Sequence, residues 1–374
     1  MNILVGADFV PTRSNIDLFV KGDTESLFGA DLAKLLHEAD YRIFNLETPL
    51  TDVKNPILKC GPNLIAPVCS INGYLAAKAD LLTVANNHIY DQGEQGLFMT
   101  LKTLTENHIS YVGAGKNLEE ASKPFVFSSD SKRVGVFACV EHEFSIAGEN
   151  RSGANPFDPL ESFDNVKHLK EKCDYLIVLY HGGNELYRYP SPMLQRICRK
   201  FISSGADVVI CQHSHCVGCM EEYESGSIIY GQGNFLFDRS ENEYWKTGLL
   251  IRLEDVKKIS FIPLVKRGNT VRIATDEEAK EILNGFMNRS RAIQQPGFIK
   301  SEYRKLAEQK LPIYMNSLGG TFRSGLNRVK QKLFHKSINV ANLYGKKRIA
   351  EIINTIDDET HRELVLEGLK SLMH

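Results

Sequence analysis

Residues that can bind metal ions or transfer protons stand at the ends of five separate apolar runs in this 374-residue sequence. The runs cover residues 3–6, 41–46, 81–85, 175–180 and 207–211. Ligands of open α/β sheets bind at the carboxyl ends of the strands, so five such runs predict one shared site. The residues concerned are Asp8, Asn45, Glu47, Asn86, Asn87, His88, His181, His213 and His215.

The types of these residues indicate a site for divalent metal ions. Carboxylate, amide and imidazole ligands together suit Mn, Fe or Zn. His213 and His215 are separated by one residue, so both rings can face one centre, and a carboxylate such as Glu47 can bridge two ions. Two ions roughly 3.5–4 Å apart would hold a phosphoryl group and generate a hydroxide nucleophile near neutral pH. The expected cofactor is one or two such ions, and the expected protein is a metal-dependent hydrolase.

The elements that must position these residues alternate between strands and helices over the first two thirds of the chain. Helical periodicity is present at residues 26–39, 93–107, 162–172 and 193–203, between the apolar runs. This alternation predicts an α/β fold with buried strands. Over residues 217–273 short strands follow one another with little helix between them, which predicts antiparallel strands that complete the sheets.

The C-terminal part of the sequence has a different character. Residues 277–288, 300–310 and 358–372 are predicted to be helices, and residues 300–348 are strongly basic. We therefore expect a catalytic domain at residues 1–275 and a mainly helical extension at residues 276–374. The basic region either contacts a polyanion or an anionic membrane surface, or is an ordinary solvated helical surface.

Six motifs, in the same order along the chain, resemble the CapA-like family, which is named for a poly-γ-glutamate capsule biosynthesis protein. They are GAD at residues 6–8, NLETPL at 45–50, ANNHIYD at 85–91, HGGNE at 181–185, QHSHCV at 212–217 and YGQGNFLFD at 230–238. The resemblance covers roughly residues 1–265 and places the chain in the calcineurin-like metallophosphoesterase superfamily. It implies a four-layer α/β/β/α sandwich of two mixed sheets, followed here by the C-terminal helices.

The resemblance also implies a role for each residue at the strand ends. Asp8 and His215 would bind a first metal ion, and Glu47 would bridge it to a second ion held by Asn87, His181 and His213. His88 would be the general acid that protonates the leaving group, with Asp91 or a backbone carbonyl orienting its ring. Many superfamily members carry a histidine where Val10 stands, so the first position is short of a ligand and a single occupied ion is an alternative.

Five further residues are candidate substrate contacts. Lys59 can bind a phosphate or carboxylate, or can be a solvated surface lysine. Glu185 follows His181 closely and can support a ligand. His142 lies in an acidic segment that either lines the cleft or forms a surface charge cluster. Asn45 and Asn86 complete the set because they flank the expected ligands.

Three functions are compatible with these features. The first is a phosphoesterase or related hydrolase acting on a capsule or exopolymer, or on its phosphorylated precursor. The second is a capsule biosynthesis accessory protein that binds an anionic polymer with little turnover, in contact with the synthesis machinery. The third, less favoured because the net charge is only −1, is a nucleic-acid-binding protein that uses the basic C-terminal region.

The remaining composition excludes some classes of protein. No apolar run reaches the ~18 residues needed to cross a membrane, and the first residues lack the basic start and cleavage site of a signal peptide. A cytoplasmic location is therefore expected, and the eight cysteines are expected to be reduced. A structural zinc site is a minor alternative, because the cysteine spacing lacks the usual paired arrangement; its candidate residues are Cys211, His213, His215, Cys216 and Cys219.

Overall fold

In the computed structural model the chain is described over residues 2–237, 242–254, 258–318 and 345–357, together with residues 361, 362, 365 and 369. It divides into two compact units, Met1–Ile299 and Lys300–His374. All the predicted metal ligands lie in the first unit, which contains every described strand.

The described strands are short and mostly buried. In chain order they are β1 (Asn2–Phe9), β2 (Tyr41–Asn45), β3 (Leu81–Thr83), β4 (Ser110–Val112), β5 (Ala114–Gly115), β6 (Phe125–Ser129), β7 (Lys132–Val140), β8 (Gly153–Ala154), β9 (Tyr175–His181), β10 (Val208–Gln212), β11 (Val217–Tyr223), β12 (Gly226–Gln232), β13 (Asn234–Leu236), β14 (Thr247–Glu254), β15 (Lys258–Arg267) and β16 (Thr270–Ile273).

Helices follow many of these strands, as the alternating pattern predicts. They are α1 (Ile16–Lys21), α2 (Thr24–Glu38), α3 (Ile71–Ala76), α4 (Gly93–Glu106), α5 (Leu118–Ala121), α6 (Ser162–Lys170), α7 (Pro192–Ser203), α8 (Asp276–Ala292), α9 (Phe298–Leu318) and α10 (Lys346–Asp357), with short 3₁₀ helices at Val68–Ser70 and Glu243–Lys246. None of the helices in the described part of the chain is long and apolar enough to span a membrane.

Two large sheets carry the first unit, and both are mixed. The first has the order β16-β15-β14-β1-β2-β3-β4, with β13 also beside β1; strands β1 to β4 are parallel, and β14 to β16 are antiparallel. The second has the order β11-β12-β10-β9-β7-β6, with β6 and β11 antiparallel to a parallel centre. The α/β class and the mixed sheets predicted from the sequence are confirmed.

Three hydrophobic clusters separate four layers. Because neighbouring residues of a strand face opposite sides of a sheet, Leu4 of β1 packs outward with α1, α2 and α4, whereas Ile3 and Val5 face the second sheet. Helices α6 and α7 likewise cover the outer face of the second sheet, where Val178 of β9 and Phe201 of α7 belong to one hydrophobic cluster. The architecture is therefore the α/β/β/α sandwich that the resemblance implied.

Helix α8 belongs to the first unit rather than to the C-terminal extension. Its Phe286 is fully buried against the core between the sheets, with its ring 4.9 Å from that of Phe261. Ser290 Oγ accepts a 2.9 Å hydrogen bond from the Met220 N–H of β11. The sequence placed the domain boundary near residue 275, at the start of this helix, whereas the compact unit continues to Ile299.

The second unit is described only in part. The helices predicted at residues 277–288 and 300–310 lie within α8 and α9. Of the predicted helix at 358–372 only residues 361, 362, 365 and 369 are described, and they are helical; residues 319–344, the larger part of the basic region, lie outside the described residues.

Candidate metal centre

The ends of strands from both sheets bring the predicted ligands together. Asp8 lies on β1, Glu47 two residues beyond β2, and Asn87 in the loop after β3, so the first sheet supplies three of them. The second sheet supplies His181 at the end of β9, and His213 and His215 just after β10. All six residues are buried.

Local backbone irregularities aim several of these side chains. The pairing of β1 with β2 shifts in register between Val5 and Asp8, and such an irregularity re-aims the next side chain. Gly6 sits within it, where a Cβ would come within 2.4 Å of the Phe44 ring, so only glycine fits. His213 and His215 have φ angles of 84° and 52°, which cost energy for residues other than glycine and occur often at functional sites.

The ligand atoms form two groups that share one carboxylate. Glu47, His181 and His213 each offer an atom within 4.8 Å of the others, and so do Asp8, Glu47 and His215. Asn87 joins the first group, because its Oδ1 lies 3.0 Å from Nε2 of His181. Glu47 therefore has the position expected for a ligand that bridges two ions.

Glu47 also has the unmet bonding capacity that a cation would satisfy. Both of its carboxylate oxygens are fully buried and accept no hydrogen bond from the described residues; the nearest cationic group is His181, with Nε2 3.3 Å from Oε1. Nδ1 of His213 likewise has no hydrogen-bond partner in the described part of the chain. Burying a carboxylate in this way is costly unless a charge compensates it, so the residues present fit a bound metal ion.

Two asparagines hold the ligands in place. The side-chain amide of Asn45 donates to Oδ1 of Asp8 at 2.7 Å and lies 3.3 Å from Nδ1 of His181. Asn86 in turn donates to Oδ1 of Asn45 at 3.0 Å and to the backbone carbonyl of Leu46 at 2.8 Å. Both asparagine side chains are fully buried, so their hydrogen bonds hold the candidate ligands in position. The substrate contacts expected for the two asparagines stay a prediction.

The local charges divide the histidines into two kinds. Burial and the charges of His181 and His215 lower the pKa of His213 well below its usual value, so its imidazole is neutral, as a metal ligand must be. Burial works against the charged form of His215 as well, but the hydrogen bond to Asp8 and the charge of Glu47 raise its pKa to about 9. Metal binding at His215 must therefore release a proton near neutral pH.

The pairing with His215 also changes the pKa of Asp8. Burial alone would raise the pKa of its carboxyl group, but the hydrogen bond and charge of His215 outweigh this, and the pKa is lowered. Oδ2 of Asp8 lies 3.2 Å from Nδ1 of His215, which also faces Oδ1 of Asn234 at 2.8 Å.

His88 lies beside the ligands but belongs to neither group. Its Nδ1 is 2.5 Å from Oδ2 of Asp91, the residue expected to orient the ring. Its charge contributes to the lowered pKa of His213, so it lies within electrostatic reach of the ligands. Lys59, expected to bind an anion, is instead buried against Asp91 at 2.5 Å.

Two predicted site residues lie outside the cluster of candidate ligands. His142 and Glu185 are both exposed. The largely buried acid nearby is Glu141, whose pKa is raised by burial despite a hydrogen bond from the Gly183 N–H. The two candidate metal groups among the described residues contain no cysteine, so they lend nothing to the structural-zinc alternative.

An aromatic wall beside His215 has no counterpart in the sequence predictions. The ring of Trp245, the single tryptophan of the chain, lies 4.8 Å from that of His215, and Phe237 lies 5.3 Å from it. Both side chains are aromatic and not of a metal-binding type, so the signal that located the candidate ligands could not find them. Phe237 and Asn234 both lie in the predicted motif at residues 230–238, and Asp238 of the same motif lies outside the described residues.

Comparison with known proteins identifies the family of this chain. The family model "Bacterial capsule synthesis protein PGA_cap" matches residues 2–239. The chain is 29% identical over 214 residues to the capsule biosynthesis protein CapA of Bacillus anthracis, covering 54% of this chain and 52% of the relative. Identity to the PGA biosynthesis protein CapA of Bacillus subtilis is 29%, covering 55% of each chain.

A more distant relative, from Mycobacterium tuberculosis, is described as a probable polyglutamine synthesis accessory protein. It is 27% identical to this chain over 231 residues, which cover 56% of this chain and 59% of the relative. A solved structure described as a novel phosphatase from Mycoplasma pneumoniae covers 75% of this chain and 96% of its own, with 15% identity and a TM-score of 0.45. The chain spans about half the length of the two curated CapA relatives. With a family model matched over residues 2–239, the chain belongs to the family of the bacterial capsule synthesis protein PGA_cap.

Proposed function

We propose that this chain is a metal-dependent hydrolase that cleaves a phosphoester or related bond in a capsule polymer or its precursor. The observation that carries the proposal is the pair of buried ligand groups sharing Glu47, whose two oxygens are fully buried with only His181, 3.3 Å from Oε1, beside them as a described cationic group. A merely structural cluster would pair such oxygens with donors, because unpaired buried carboxylates destabilise a fold.

The residues of the chain divide the work between binding and proton transfer. Asp8, Glu47, Asn87 and the three histidines would hold one or two divalent ions. When bound, such ions supply Lewis acidity and lower the pKa of water toward neutrality. His88 donates a proton from Nε2 to the leaving-group oxygen as the bond to phosphorus breaks, while Asp91 holds Nδ1.

The substrate class follows from the family. Members take part in capsule synthesis, so the expected substrate is an anionic polymer or its phosphorylated precursor, and the expected partners are components of the synthesis machinery. The description of the M. tuberculosis relative as an accessory protein favours a second candidate, in which the chain binds the polymer with little turnover.

Metal analysis and a substrate screen separate these two functions. The purified protein should carry at least one divalent transition metal and should hydrolyse a phosphomonoester, a phosphodiester, amide-linked polyglutamate or a peptide-like polymer. Metal-loaded protein that binds polyglutamate but cleaves none of these would support the accessory function.

A pair of variants tests the role of His88. His88→Ala should lower turnover by about 10²–10⁴-fold on substrates with poor leaving groups, with unchanged metal content. The loss should be smaller for a nitrophenyl ester, which needs little protonation, and Asn87→Ala should lose metal as well as rate. The matched control is His168→Ala, because His168 is exposed on α6. Loss of metal from His88→Ala equal to that from Asn87→Ala would contradict the assignment.

A further inference from the structure

Lys59 is a buried lysine in a loop that is otherwise largely exposed. Residues 52–56 and 60–62 are exposed and Leu58 is 77% exposed, whereas only 2% of the Lys59 side chain is accessible. A buried ammonium group loses most of its hydration, so it needs a compensating partner. The loop between β2 and α3, residues 51–67, therefore turns this one side chain inward for a specific contact.

Asp91 is that partner, and it is fixed from two directions. Nζ of Lys59 lies 2.5 Å from Oδ1 of Asp91. The other carboxylate oxygen faces Nδ1 of His88 at 2.5 Å and accepts a 2.6 Å hydrogen bond from the Leu64 N–H. Both oxygens are occupied, so the carboxylate has one orientation, and two of its contacts come from the 51–67 loop.

Lys59 also contacts the ligand-bearing loop directly. Its Nζ lies 3.4 Å from the backbone oxygen of Asn87 and 3.3 Å from Nδ1 of His88. The side chain of Asn87 reaches His181, with Oδ1 3.0 Å from Nε2. One lysine thus joins an exposed loop to a ligand, to the expected general acid and to the residue that orients it.

We propose that Lys59 is a positioning residue, which holds Asp91 against Nδ1 of His88 so that Nε2 of His88 faces the substrate. The inference rests on the proposed hydrolase function and differs from the anion binding expected from the sequence. Nδ1 and Nε2 belong to one rigid, planar imidazole ring, so fixing the direction of Nδ1 also sets the direction of Nε2. A substrate anion could reach Nζ only by displacing Asp91, since the lysine side chain is buried.

Steady-state kinetics of lysine variants test this role. Lys59→Met and Lys59→Gln both remove the charge, and Gln keeps a hydrogen-bond donor in case the Met variant does not fold. Lys54→Met is the control, because Lys54 is an exposed lysine of the same loop. Both Lys59 variants should lower kcat on a poor leaving group by about 10²-fold, with unchanged KM and metal content and a smaller loss on a nitrophenyl ester.

Combination with His88→Ala sharpens the test. If Lys59 acts through His88, adding Lys59→Gln to His88→Ala should cause no further loss, because residues that act as a unit are not additive. Additive losses, or a raised KM with unchanged kcat, would show that Lys59 binds substrate directly and would overturn the proposal.

A spectroscopic readout separates this proposal from the hydrolase function itself. In protein labelled with ¹⁵N-histidine, the His88 signals, assigned by their loss in His88→Gln, should report a proton fixed on Nδ1. Lys59→Gln should shift or broaden these signals, whereas Lys54→Met should not, and unchanged signals in Lys59→Gln would refute the positioning role. Wild-type protein that cleaves no substrate would refute the hydrolase function alone. The comparison of the His88 signals between wild type and Lys59→Gln would still decide whether Lys59 positions the His88 ring.

Discussion

Replacement of Glu47 by glutamine should remove most of the stabilisation that a metal ion gives to the protein. Glu47 is the one residue common to both ligand groups, and it is fully buried. Glutamine has nearly the same shape but no charge, so Glu47→Gln tests the bridging carboxylate while leaving the packing unchanged. Loss of residues that merely support a ligand costs 10–100-fold in affinity, so loss of a shared ligand should cost at least about 100-fold.

The size of the effect follows from linkage. A metal present at about 100 times its dissociation constant stabilises the folded protein by about 2.7 kcal/mol. For a folding unit of this size, that energy corresponds to a rise of about 5 °C in the melting temperature. With affinity about 100-fold weaker, the same metal concentration gives only about 0.4 kcal/mol, or about 1 °C.

The assay compares chelator-treated protein with and without added Mn²⁺. Thermal unfolding gives the shift, and the fluorescence of the single tryptophan, whose ring is 4.8 Å from that of His215, reports binding directly. Glu141→Gln is the matched control, because Glu141 is a largely buried acid outside both ligand groups. A shift of about 5 °C retained in Glu47→Gln, or lost equally in Glu141→Gln, would refute the reasoning.

Three other changes test the role of α8 and the extent of the folding unit. Glu278→Gln should reduce stability by less than about 1 kcal/mol, because Glu278 pairs with Arg272 at a partly exposed position. Arg272 lowers the pKa of Glu278 from 4.5 to about 2. The contribution of this ion pair to the stability of the folded protein is therefore present above about pH 4.5 and is lost as the pH falls toward 2. The urea midpoints of the variant and the wild type should converge over that interval, and a constant difference would contradict the pairing. Phe286→Ala should cost about 3–5 kcal/mol in urea unfolding, since it empties a buried site. A truncated chain ending at Ile299 should give a folded circular dichroism spectrum and bind metal, whereas a chain ending at Thr275 should not; a folded shorter chain would show that α8 is dispensable.

The buried cluster of candidate ligands could be predicted from the sequence because it depends on a local signal. In a sheet buried on both faces, strands are continuous apolar runs, so a polar residue at the end of a run stands out. Asp8, Glu47 and His181 were singled out as candidates in this way, and the order of the motifs indicated the architecture. The strand ends also explain why the two sheets meet at the site, since each contributes its carboxyl edges there.

The supporting contacts could not be predicted, because they join residues far apart in the sequence. Asn45 lies 3.3 Å from His181 although 136 positions separate the two residues, and no periodic pattern encodes such a distance. The buried state of Lys59 was missed for the same reason, since its loop has the composition of an exposed segment. The start of α8 carries a complete capping box from Thr275 to Glu278, which marks a helix but not the unit to which the helix belongs.

The site connects the two sheets, and this ties metal binding to the packing of the fold. The side-chain amide of Gln212 on the second sheet donates to the Gly6 carbonyl of β1 at 3.2 Å, and that of Gln232 donates to the Val5 carbonyl at 3.0 Å. These carbonyls lie at the irregular stretch of β1 just before Asp8. An ion bound between Asp8 and His215 would therefore reinforce a junction that two glutamines already hold. Because the same junction carries the strained backbone of His215 and the fully buried carboxylate of Glu47, its geometry is better explained by ligand binding than by the stability of the chain alone.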